Sequence, residues 1–192
     1  LYMKDENTLR LEIGRTDVRD HRKEPISHLF AKARLPIGHF EIKPSGKILK
    51  NNARLNIWDA EATGTILTDK GTVQWRSLTL SHEDIILFQY TLTGKETSLA
   101  VHWVPEVSIS SRTKFEVQQP VNYKPNPKPI SGEMTGVQYC RQPMLAGGDY
   151  TTAWKQSGSK TEKTLYITVG YNPESSSLIE AVKKVKNISN EA

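Results

Sequence analysis

Apolar residues at every second position constrain this chain more than any other feature. In Leu9-Arg10-Leu11-Glu12-Ile13, in Phe40 with Ile42 and in Phe115 with Val117, the apolar side chains share one face and the polar ones the other. Successive side chains on a strand point to opposite faces, so these segments read as strands with one wet side. The run Arg54-Leu55-Asn56-Ile57-Trp58-Asp59-Ala60-Glu61-Ala62 alternates twice, but its apolar phase slips by one between Ile57 and Trp58. A one-residue slip flips the faces, which predicts a β-bulge there.

The pattern continues along the chain. Residues 64–68 and 72–76, joined by Asp69-Lys70-Gly71, read as a hairpin closed by a glycine-containing turn. Residues 84–92 are a near-continuous apolar strand of central character, and Thr93-Gly94-Lys95 turns the chain into a similar strand at 98–104. Further strands are expected at 136–140, 150–154 and 164–169. Residues 120–132 carry four prolines, which remove ladder donors and predict a surface loop. About ten short strands with no interior helix predict an all-β fold, a two-layer antiparallel β-sandwich of supersandwich-like form over residues 1–174. The 192 residues are enough to build its core without disulfides or metal.

The tail, residues 175–192, changes period. After Asn172-Pro173, Ser177 with Glu180 three residues on predicts a capping box. Leu178, Ala181, Val182, Val185 and Ile188 then recur at helical spacing, one apolar stripe on a charged helix. Such a stripe either folds back on a sheet face or starts a linker to a following domain, and both readings stand at this point.

Charge and motifs exclude several classes. The 26 Lys and Arg against 21 Asp and Glu give a net charge of +5, with both signs alternating along the chain. Neither Lys183, Lys184 and Lys186 nor the lysines of 124–128 interleave with aromatics, so a nucleic-acid partner is not expected. No apolar run approaches the roughly 18 residues of a membrane helix, and the charged opening Leu1-Tyr2-Met3-Lys4-Asp5-Glu6 is no signal peptide. The lone Cys140 supports neither an internal disulfide nor a metal site, and no nucleophile elbow or phosphate loop is present, so no cofactor is expected. Gly147-Gly148-Asp149 reads as a hairpin turn, and Asn187-Ile188-Ser189 is a chance glycosylation match inside the predicted helix.

Two groups of residues bear on function. Asp17, Asp20 and His21 cluster on one loop as a metal or acid–base set would, but Arg15, Arg19 and Arg22 beside them neutralise the carboxylates and predict a loop of ion pairs. The same carboxylate and guanidinium groups suit sugar hydroxyls. His28, His39, His82 and His102 are scattered singly. Trp58, Trp75, Trp103 and Trp154 occupy apolar-phase strand positions, which predicts core, with one or two able to stack on a sugar ring.

A resemblance then emerges. Leu11-Glu12-Ile13-Gly14-Arg15-Thr16-Asp17, Arg34-Leu35-Pro36-Ile37-Gly38 and Leu55-Asn56-Ile57-Trp58-Asp59-Ala60 with Trp75-Arg76 follow in the order found in the N-terminal β-sandwich domain of bacterial glycoside hydrolases related to families 95 and 65. The late segment Ala146-Gly147-Gly148-Asp149-Tyr150-Thr151-Thr152-Ala153-Trp154 is similar to that domain as well, and the likeness runs from about Leu9 to the C-terminus. The opening Gly-Asn-Gly of such domains is missing, which suggests a truncated start, and the fucosidase motif ending Asp-Thr-Leu-Trp stands here as the looser Arg15-Thr16-Asp17-Val18-Arg19.

The resemblance implies a sandwich, then a linker helix, then an (α/α)6 barrel holding the catalytic carboxylates. On this reading the chain is a non-catalytic accessory domain whose partners are the catalytic domain of the same polypeptide and a carbohydrate substrate, secreted or periplasmic, and bearing no catalytic residue itself. Glycosidic hydrolysis needs two carboxyl groups flanking the bond, and no such pair is assignable here. Arg15, Asp17 and Arg19 are the residues implied to line the domain interface or an outer sugar subsite. A free-standing carbohydrate-binding sandwich is the alternative, and a structural or adhesion module a third reading.

Overall fold

The computed structural model describes residues 1–23, 28–80, 82–115 and 118–191. Its strands are β1 (Tyr2–Asp5), β2 (Thr8–Ile13), β3 (Gly38–Pro44), β4 (Ile48–Asn56), β5 (Glu61–Thr68), β6 (Gly71–Leu80), β7 (Ile85–Gly94), β8 (Leu99–Pro105), β9 (Ile130–Met134), β10 (Val137–Pro143), β11 (Asp149–Gly158) and β12 (Glu162–Asn172). Helices are α1 (His28–Ala31) and α2 (Leu178–Glu191), with a 3-10 turn at Ser111–Lys114.

The period-two pattern resolves into two antiparallel sheets, a four-stranded one in the order β1-β2-β3-β8 and an eight-stranded one in the order β4-β5-β6-β7-β12-β11-β10-β9. Their facing sides carry the alternating apolar residues, and Phe40 and Ile42 from the small sheet meet Phe88, Leu165 and Ile167 from the large one in a single cluster. Each such side chain, fully buried, contributes about 1.5–3 kcal/mol. Phe40, Trp103 and Trp154 pack ring on ring at 4.9–5.8 Å between centroids. Cys140 is buried in the same cluster.

Helix α2 folds back on the outer face of the large sheet. Ala181, Val182 and Val185 are buried against Ile85, Val137, Ala153 and Tyr166, so the sequence's stripe finds its cover within the chain. The helix approaches closely enough that a Cβ on Gly170 would lie 3.0 Å from that of Ala181.

Several sequence expectations are corrected. The phase slip at Ile57-Trp58 is not a bulge but a hairpin reversal, with residues 57–60 forming the turn between β4 and β5. The Asn56 side-chain oxygen accepts the amides of Trp58 and Asp59, at 3.1 and 3.4 Å, and Ala60 takes φ +50°. An asparagine that bonds the backbone two residues on imitates a turn without glycine or proline. Trp58 is therefore 94% exposed at the apex and not core. The capping box is also absent: the Ser177 hydroxyl donates to Asp149 at 2.6 Å instead of capping α2. Of the proline-rich loop, residues 130–132 belong to strand β9. Interior helical turns do exist, at α1 and at Ser111–Lys114. Phe115 follows that 3-10 turn, and Val117, its expected strand partner, lies outside the described residues.

Candidate functional site

Antiparallel pairing sorts the connections between the two ends of the sandwich. Ile13, Gly38 and Pro105 lie together at one end of the small sheet. Asn56, Leu80, Asp149 and Asn172 end together in the large one. Arg15 Nη1 donates to the Val169 carbonyl at 2.6 Å and joins those two ends. The longest connections, residues 14–37 and 106–129, and the hairpin apex 57–60 therefore share one end. The opposite end has short turns tied by one buried carboxylate, Glu96, which accepts from the Ser45 and Gly46 amides and the Ser45 and Thr68 hydroxyls. Long loops carried on one end of a rigid scaffold are where binding surfaces are commonly built.

The predicted loop of ion pairs sits at this loop end. Arg15 binds Asp17 through Nε at 2.7 Å and Nη2 at 3.0 Å, and its Nη1 lies 3.8 Å from Asp84. These residues with Gly14, Ile86 and Val169 line a depression of about 330 Å³. The bond from Arg15 outweighs partial burial and holds the Asp17 carboxyl below the usual carboxylate range, while raising Arg15. A general acid of glycoside hydrolysis needs the opposite shift, so Asp17 is a fixed anion. Arg19 does not join them: it bridges to Arg34 and donates to the Lys32 carbonyl at 3.4 Å.

Asp20 is wholly buried and acts as a hub. It accepts the Tyr123 hydroxyl at 2.6 Å, Arg22 Nε at 3.0 Å and the Asn126 amide at 3.3 Å, while the Arg22 guanidinium stacks over the Tyr123 ring. Burial, and then the bond to Asp20, push the Tyr123 phenol up to about 12. Asp20 thus fastens residues 108–126 to the 14–22 loop, and His21 beside it stacks on Tyr171. Among the described residues no group of three or more His, Cys, Asp or Glu is placed to hold a metal ion.

The loop end exposes large apolar side chains among its polar ones. Leu29, Ile57, Trp58, Val107, Val121 and Leu145 all stand in solvent there, Ile57 at 85% and Trp58 at 94% exposure. Sequence reasoning places Trp58 in the core and misses this set, because its members come from separate loops that only the strand register assigns to one end. No helix of the described residues is long and apolar enough to cross a membrane. A scan against protein-family models finds no match, and a search of curated proteins finds none either.

Proposed function

We propose that this chain is a non-catalytic accessory domain of a glycoside hydrolase, a sandwich that docks to the catalytic barrel of the same polypeptide and supports hydrolysis of a carbohydrate outside the cytoplasm. The observation that carries it is the exposure of large apolar side chains at the loop end, with Ile57 and Trp58 side by side on the hairpin apex. An apolar pair exposed at the tip of a hairpin is surface available to a partner. Arg15 and Asp17 lie at the same end, beside Asp84, and act as the polar rim of that interface; Arg19 acts on its Lys32 side.

The test compares the full-length gene product with the 192-residue chain on aryl glycosides and plant oligosaccharides. Hydrolysis by the long form alone supports the reading. Hydrolysis by the short chain overturns it and returns attention to Asp17, Asp20 and His21. The rival reading, a free-standing carbohydrate-binding sandwich, draws on the exposed Trp58. That ring has Ile57 beside it, while Asn56 Nδ2 and Asp59 Oδ2 bond each other at 2.5 Å, so the apex offers a sugar one stacking face and few free polar groups. Docking to protein suits it better.

A further inference from the structure

The large sheet is twice as wide in strands as the small one, so part of its inner face extends past the edge strand β8. The overhang is formed by β9, β10 and β11, away from the loop end. Register aligns Glu133, Gln138, Trp154 and Ile167 in one row across β9, β10, β11 and β12, and Gln156 with Leu165 in an adjacent row. Glu133, Gln138, Trp154, Gln156 and Leu165, with Lys155 and with Val101 of β8 as the opposite wall, line a cleft of about 340 Å³, at the lower end of the range for small-molecule sites.

The lining is uneven in a way a solvated edge is not. Trp154 is half-buried, and its ring is fixed from behind by Phe40 at 5.5 Å and Trp103 at 5.8 Å. Gln156 Nε2 donates to the Tyr90 hydroxyl at 2.7 Å, which sets the amide and leaves its oxygen as an acceptor. Glu133 and Gln138 are exposed and form no side-chain hydrogen bond or ion pair among the described residues. An aromatic held rigid by its neighbours loses little entropy on binding. Beside it stand an amide donor, two amide acceptors and one carboxylate, and Lys155 adds one ammonium, so the formal charges of the lining cancel.

We infer that this cleft is a binding site for a neutral saccharide, with one ring stacked on Trp154 and its hydroxyls held by Gln138, Gln156 and Glu133. The chemistry argues for that class. A charged ligand would meet Glu133 and Lys155 together, one repelling and one attracting it, and an aliphatic ligand would leave the free amides and carboxylate without partners. A polyol with an apolar ring face satisfies both the indole and the polar groups. The site lies opposite the loop end, so it operates whether or not that end is covered by another domain, and the two readings fail independently.

The experiment is an NMR titration of the 192-residue chain with cellohexaose, xylohexaose, mannohexaose and maltohexaose, following the four indole and the side-chain amide resonances. The inference expects at least one hexaose to shift Trp154, Gln138 and Gln156 while Trp58 stays in place. Replacing Trp154 confounds binding with folding because it packs in the aromatic cluster. The exposed Gln138→Ala and Glu133→Gln variants avoid this, and each weakens the binding by about tenfold, the equivalent of one well-placed hydrogen bond. No shift with any of the four sugars up to about 10 mM, weaker than any useful site, overturns the inference. Shifts confined to Trp58, or binding unchanged in both variants, overturn it equally.

Discussion

Asp17 and Asp20 stand on the same loop, each beside an arginine, yet the fold uses them differently. The Asp17 side chain is 51% exposed, so its pair with Arg15 is screened by water and salt. Asp20 is at 0% and its partner Arg22 at 8%, so losing the carboxylate strands a buried cation together with the Tyr123 hydroxyl. Asp17→Ala should therefore change the unfolding free energy by at most about 1 kcal/mol, and Asp20→Ala should lower it by about 3–5 kcal/mol. Urea unfolding of the two variants checks both. A larger loss at Asp17 would mean that the depression, and not the hub, organises this end.

At the scale of elements, α2 is seated by its apolar stripe and its start is tied by one carboxylate from another element. Asp149, at the start of β11, accepts the Ser177 amide at 2.8 Å and its hydroxyl at 2.6 Å, and also pairs with Arg141. Burial works to raise the Asp149 carboxyl, but these donors outweigh it and hold it below its ordinary value. A depressed carboxyl adds stability that is complete above the unfolded pKa of about 3.9 and fades as pH falls through the lower folded value. Asp149→Ala should cost about 2–3 kcal/mol at neutral pH and speed amide exchange across α2 before the sheets. Equal exchange in the two proteins would show that the apolar stripe alone seats the helix.

Legibility follows the same scale. Strands with one buried face announce themselves by alternation, as β2 and β3 do, and β7 announces itself by a near-continuous apolar run. Strand β9 and the first part of β4 escape the pattern, and each is a sheet edge with few buried positions: β9 is exposed along its whole length. With no face to bury, no period is imposed. The hairpin apex reads as a bulge because a slip in apolar phase looks the same in both cases, and the discriminating signal is Asn56 followed by Asp59. The Arg15–Asp17 pair is visible because its members are neighbours in sequence. The cleft around Trp154 is not, because its row depends on the pairing of four strands.

For the whole molecule, the two ends of the sandwich have opposite characters. One end is short turns tied to Glu96, and the other collects long loops and apolar tips. Among the described residues nothing covers these tips, so the free chain should self-associate as its concentration rises. The double change Ile57→Ser with Trp58→Ser should reduce that association in sedimentation velocity while leaving the unfolding free energy within about 0.5 kcal/mol, as for surface sites. A large loss of stability would mean that the apex packs on the body of the domain.

Cys140, the one thiol of the chain, is packed between the sheets at 4% exposure. A chromogenic thiol reagent reaches it only when the sandwich parts, so the labelling rate under native conditions counts openings of the core directly. The protein thus carries its own clock for breathing between the layers, and comparing that rate with and without a saccharide in the cleft reads how far a ligand at the rim steadies the whole.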